Sequence, residues 1–210
     1  MSENMHIFPL FPTLLSNVLL EDNPKFNILE DVKDTVQFTC RTEDINCSTS
    51  ENRNILNCYP ELKNRILEVF YDLKDNVLGH TNTDFAITTS WITKIDSNSS
   101  GLISHGTHIN SYYSGAFYIS EHNPDLTGVF EANNKGIASS QIVLNRDSET
   151  EYNSKTFSFI PKKNYLMFFP SYLNHRIINH KCEEPIYVIW FNIMPTSLWQ
   201  ETCELKITIN

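Results

Sequence analysis

SHGTHINSYYSGAFYIS, residues 104–120, sets two histidines, His105 and His108, against an apolar aromatic run at 116–119. Imidazoles at the mouth of a buried strand can bind a metal and leave part of its coordination sphere open. Asn110 and Ser111 place further polar atoms beside them, and His175, in FPSYLNHRI, is the candidate for a distant third ligand. Close histidine pairs also occur on surfaces and as hydrogen-bonded core residues, so the spacing gains its weight from the surrounding chain.

That surrounding chain reads as strands. FAITTSWITKI at 85–95 is rich in β-branched and aromatic residues, and SNSSG at 97–101 makes a turn. Beyond the histidines come a turn around Asn123 and Pro124, an apolar run at 128–130, and strand patterns at 141–144 and 156–160. The compact apolar runs 165–169 and 186–193 suit strands covered on both faces.

Upstream the pattern is helical. Leu62, Ile66, Val69, Phe70, Leu73 and Val77 form one stripe over 60–78, with Pro60 suited to a first turn and Gly79 to a C-terminal cap. Phe26, Leu29, Val32 and Val36 suggest a second, surface helix. Residues 7–20 alternate prolines with apolar side chains and read as an extended segment, while the polar stretch 41–57 reads as a loop. Together these elements predict a mainly β protein with supporting α-helices. The expected architecture is an antiparallel double-stranded β-helix, a jelly roll of cupin-like form. It is expected as a single domain over 1–210, with N-terminal helical support in 1–80 and the β core in 85–193.

Composition narrows the function classes. The 210 residues carry a net charge of −9 and 40% hydrophobic residues, ordinary for a chain that buries a real core. Broad, sequence-independent nucleic-acid binding needs a basic footprint, which this charge opposes. No apolar run approaches the ~18 residues that cross a bilayer, and the first residues lack the basic region of a signal peptide. The expectation is a soluble, cytoplasmic protein without a membrane partner. Five cysteines without a CxxC pair read as reduced thiols rather than a zinc site.

Several ordered motifs resemble one family, the 2-oxoglutarate/Fe(II) oxygenases found in marine bacteria and their tailed phages. FPT at 11–13 is similar to the family's opening, and TSW at 89–91 with Gly101 to its sW…G element. HINSYYSGAFYIS at 108–120 resembles H-x-N-S-x-x-S-G-x-x-Y, LMFFPSYLNH at 166–175 resembles L-x-x-F-P-S-x-L-x-H, and FNI at 191–193 the closing strand. The resemblance implies an Fe(II)-dependent dioxygenase coupling oxidation of 2-oxoglutarate to hydroxylation of a substrate that the sequence does not name. A phage-encoded member would act in the host-cell cytoplasm.

The chain departs from the family pattern at two places. The family usually has a histidine two residues before the position of His108, where this chain has Gly106; His105 can replace it if the strand end shifts or bulges. No carboxylate stands beside the first histidine, which leaves Asn110, or a set of His105, His108 and His175, to complete the metal site. Glu121 and Glu131 are further acidic candidates. Related enzymes hold the distal carboxylate of 2-oxoglutarate with a basic residue about ten positions after the last histidine, where an arginine can make two parallel hydrogen bonds. Here that position is Ile186, and Arg176 and Lys181 are the nearest cations. Tyr118 matches the family's strand tyrosine and offers a hydroxyl. These departures keep two rivals open: a degenerate oxygenase fold serving as a structural or binding module, as in a virion, and a cupin-like metal protein that uses no 2-oxoglutarate.

Overall fold

Strand β4 (Phe85–Ile95) runs near the middle of the larger of two facing sheets, with the bounds that its β-branched run predicts. The computed structural model describes residues 13–40, 47–97, 100–121, 126–131, 154, 156–180, 183–200 and 203–206, with backbone alone for 100–105, 179–180, 197–200 and 203–206. Before β4 come β1 (Ser16–Leu19), α1 (Leu29–Thr35), β2 (Phe38–Cys40), β3 (Cys47–Ser50), a 3₁₀ turn (Ile55–Cys58) and α2 (Pro60–Asn76). After it come β5 (Ser100–Gly106), β6 (Tyr113–Tyr118), β7 (Leu126–Glu131), β8 (Thr156–Phe159), β9 (Tyr165–Pro170) and β10 (Asn174–His180). The chain then runs through β11 (Ile186–Pro195), β12 (Ser197–Gln200) and β13 (Cys203–Lys206).

The large sheet has the order β1-β9-β6-β11-β4-β3-β2 and the small one β5-β10-β7-β8, every pair antiparallel. From β4 to β11 the chain passes back and forth between the sheets, with only the β7–β8 hairpin staying in one, as in a jelly roll, the fold that the sequence predicts. Ile95, Ala116, Tyr118, Phe169, Val188 and Trp190 of the large sheet meet Leu126, Phe130 and Ile177 of the small one in a core between the sheets. The other face of the large sheet is covered by α2. Its Leu62, Ile66 and Phe70 are fully buried, each contributing about 1.5–3 kcal/mol by leaving water. Phe70 sits against Phe85, Tyr113 and Phe168 at 5.3, 5.7 and 5.4 Å between ring centroids.

The N-terminal region differs from the expectation. It is more than helical support, since β1 pairs with β9 at one edge of the large sheet and β2 and β3 extend the other. The predicted loop 41–57 contains β3 and most of the 3₁₀ turn. Polar CSTS is strand because its hydroxyls have partners indoors: Ser50 Oγ accepts from the Ile92 amide at 3.0 Å and donates to the Asn52 carbonyl at 2.9 Å. The predicted strand 141–144 lies outside the described residues. No described helix is long and apolar enough to cross a membrane.

Candidate metal centre

His108 lies in the connection between β5 and β6, and three elements hold it. Its backbone N–H donates to the carbonyl of Ser171, in the turn between β9 and β10, at 2.9 Å. Its Nδ1 lies 2.7 Å from Asn192 Oδ1 on β11 and 2.8 Å from Ser114 Oγ on β6. Ser114 is fully buried and also meets Ser171 Oγ at 2.7 Å, while Asn192 Nδ2 donates to Thr89 Oγ1 on β4 at 3.0 Å. Residues scattered through the motifs around 89, 108–115, 170 and 192 therefore converge on one imidazole. Burial holds the His108 pKa below its ordinary value, against the opposing hydrogen bond that Asn192 Oδ1 accepts, so the ring favours the neutral form that binds metals.

His175, the second residue of β10, lies on the inner face of the small sheet, opposite Phe130, and is 2% exposed. Its Nδ1 lies 3.4 Å from the Leu173 carbonyl. Phe169 and Trp190 flank it, each 4.9 Å away between centroids. The His108 and His175 rings stand edge to face, their centroids 4.9 Å apart. Two imidazoles sharing one ion at about 2 Å per metal–nitrogen bond have centroids roughly 5 Å apart. His108 Nε2 is buried and has no hydrogen-bond partner among the described residues. A buried nitrogen left without a partner costs free energy, and a metal ion at that nitrogen would remove the cost. The two histidines thus fit a metal.

The remaining sequence-predicted residues fall in different places. His175 pairs with Gly106 and Arg176 with Ser104, so His105 is the extra residue of a bulge in β5, the irregularity that its substitution for the family histidine requires. Gly106, at φ 65°, carries the chain out of the bulge in a conformation that side-chain-bearing residues resist. Asn110 stands exposed in the turn after His108 at φ 58°, a backbone conformation that asparagine tolerates. Among the described residues, no three His, Cys, Asp or Glu side chains gather to hold an ion.

Arg176 does not reach the barrel interior. It alternates with inward His175 and Ile177, and its guanidinium meets Glu131 on the outer face at 2.9 Å, where Asn174 also donates to Glu131 at 2.9 Å. Strand alternation forces this: a residue next to an inward histidine points outward. Glu121 is likewise engaged on the surface with Lys163. Lys181 lies outside the described residues. Ile186 is buried in the core between the sheets beside Tyr118, whose phenol burial pushes well above the ordinary tyrosine range.

Residues 89–192 match the family model described as "Putative 2OG-Fe(II) oxygenase". The barrel belongs to the 2-oxoglutarate/Fe(II) oxygenase family. Fe(II) and 2-oxoglutarate are the metal and the cosubstrate of that family. Solved structures of the same fold include HygX from Streptomyces hygroscopicus with nickel, 2-oxoglutarate and hygromycin B bound, at 12% identity and TM-score 0.55, covering 88% of this chain and 84% of that one. The epimerase SnoN of nogalamycin biosynthesis aligns at 8% identity and TM-score 0.61, over 88% and 77% of the two chains. A Pseudomonas putida prolyl-4-hydroxylase aligns at 12% identity and TM-score 0.53, over 86% and 92%. No curated protein matches the sequence.

Asn192, Ser114 and Thr89 were not evident as site residues from the sequence. For Asn192 and Ser114 the signal is an isolated polar residue inside an otherwise buried strand, as in IYVIWFNIMP and YSGAFY. Such a residue must find a hydrogen-bond partner.

Proposed function

We propose that this oxygenase-family chain is an Fe(II)- and 2-oxoglutarate-dependent dioxygenase that hydroxylates a substrate, with His108 and His175 as two ligands of the metal. The carrying observation is the meeting of these rings, 4.9 Å apart, at one end of the barrel. His105, at the bulge directly before Gly106, is the candidate third donor, with Asn110 the alternative in the adjoining turn.

When bound, the metal and the 2-oxo acid supply the oxidising chemistry. The chain's own residues orient and exclude water. Asn192 and Ser114 hold the Nδ1 edge of His108, the Ser171 carbonyl holds its backbone, and Phe169, Trp190 and Phe130 exclude water around His175. A dry, rigid surround keeps donor nitrogens positioned without reorganisation. The distal carboxylate of the cosubstrate needs a cation, because a carboxylate buried without one meets a desolvation penalty of several kcal/mol. Tyr118 shares a pocket with Ile186 and Lys162, Arg176 is committed to Glu131, and Lys181, which follows β10 in the sequence, is the cation we propose for it.

The test is anaerobic titration of purified protein with Fe(II) and 2-oxoglutarate, watching the visible charge-transfer band of the chelate. Its appearance, followed by succinate formation on admitting O₂, supports the reading. Iron that binds without the band favours a metal protein that uses no 2-oxo acid, and failure to retain iron favours a degenerate fold.

A further inference from the structure

The His108 ring has unequal edges. Its Nδ1 meets two oxygen atoms, Asn192 Oδ1 at 2.7 Å and Ser114 Oγ at 2.8 Å. Its Nε2 is buried and meets no hydrogen-bond partner among the described residues. A neutral imidazole carries one ring proton. Placed on Nδ1 that proton has an acceptor, whereas on Nε2 it becomes a buried donor with nothing to bond.

Ser114 alone does not decide the matter, because a hydroxyl can rotate to donate or accept. Asn192 can decide it, because its two ends differ. Its Nδ2 donates to Thr89 Oγ1 at 3.0 Å, and its Oδ1 also receives the Ser114 hydroxyl at 3.0 Å. In this arrangement the oxygen, and not the NH₂, faces the histidine, and the buried Nε2 without an acceptor fits the same assignment. We propose that Asn192 is a positioning residue that selects the Nδ1–H tautomer of His108, with Thr89 holding the amide so that the Nε2 lone pair is presented to the space shared with His175. An asparagine achieves this without adding the negative charge that an aspartate would bring beside the metal. The tautomer selection stands on the hydrogen bonds alone; its consequence for metal binding rests on the proposed function above.

The experiment reads the imidazole nitrogens directly. ¹⁵N-histidine-labelled, metal-free protein at pH 8 gives tautomer-specific nitrogen shifts, with His108 assigned by its disappearance in His108→Gln. The wild-type ring is expected as Nδ1–H. Asn192→Leu shifts the population toward Nε2–H and raises the Co(II) dissociation constant by about 10- to 100-fold. Asn192→Asp, which keeps an acceptor oxygen, restores the Nδ1–H tautomer and brings Co(II) affinity most of the way back. An Nε2–H ring in the wild type, or an unchanged Nδ1–H ring in Asn192→Leu, overturns the proposal. If Asn192→Leu does not fold, Thr89→Val carries the test, since it removes only the amide's anchor. An unchanged tautomer population and Co(II) affinity in that variant overturns the proposal as well. Co(II) binding that leaves the His108 nitrogens unperturbed, in a protein with the expected tautomers, upholds tautomer selection and removes the metal role instead.

Discussion

Gly115 lies directly under the ring of Phe191: a Cβ at residue 115 would stand 2.2 Å from Phe191 Cζ and 2.6 Å from the Met167 carbonyl oxygen. The two residues are cross-strand partners, Gly115 on β6 and Phe191 on β11. Each adjoins a residue that holds His108, Ser114 on one strand and Asn192 on the other. Close approach of these strands therefore sets the spacing of the polar contacts.

Gly115→Ala should destabilise the fold by about 1–3 kcal/mol or more, the usual cost of overpacking, because one of the clashing atoms is backbone and cannot rotate away. Urea unfolding measures it. Phe191→Leu in the same chain should recover part of the loss by removing the ring contact while leaving the carbonyl contact in place. Full wild-type stability in Gly115→Ala alone would show that β6 and β11 are not this close.

Ser171 ties the second histidine's turn to the first histidine. Its carbonyl accepts from the His108 amide and its hydroxyl meets Ser114 Oγ, both while buried. Ser171→Ala keeps the backbone contact and removes the hydroxyl, so the expected cost is about 1–2 kcal/mol of stability. Ser114→Ala removes a contact to His108 Nδ1 as well, and should weaken Co(II) binding where Ser171→Ala does so little. Equal losses of Co(II) affinity in the two variants would contradict this division.

Much of the architecture was legible because period and composition agree over long runs. FAITTSWITKI and the stripe from Leu62 to Phe70 need no tertiary information to be assigned. What was not legible is polar structure made by long-range partners. β3 looks like a loop because what makes it a strand is distant: it pairs with β4, and the Ser50 hydroxyl accepts from the amide of Ile92, 42 residues on. His108 and His175 were recognisable as site residues, but the partner of His108, Asn192, is 84 residues distant. No spacing rule connects two such positions. The outward turn of Arg176, by contrast, follows from alternation once His175 is placed inward.

Tyr113 supplies a pH test. Burial, with smaller contributions from Tyr112 and Tyr172, pushes its phenol from 10.0 up to about 12. The folded state thus resists ionisation that the unfolded state accepts. Its stabilising effect is complete below pH 10, falls as pH rises from 10 toward 12, and is gone above that. Tyr113→Phe should flatten the decline in unfolding free energy over this window. An equally steep decline in the variant would mean that other groups, such as the buried Tyr118, carry it.

His175 and Arg176 are neighbours that strand alternation sends to opposite faces, and that separation can be tested with one pair of variants. His175 is enclosed by Phe169, Trp190 and the His108 ring, so His175→Ala should abolish Co(II) retention and succinate formation together. Arg176 pairs with Glu131, and both side chains are about one-third exposed. Partly solvated pairs of this kind contribute about 1 kcal/mol or less. Arg176→Gln should therefore lower stability by no more than that and leave the KM for 2-oxoglutarate within a few-fold of wild type. A rise in KM of about 100-fold, the ~2.7 kcal/mol expected for losing a buried charge-assisted contact, would place Arg176 at the cosubstrate. The outward face assigned to it by the Glu131 contact would then be wrong. Lys181→Met separates the same alternatives from the other side: it should raise KM where Arg176→Gln does not.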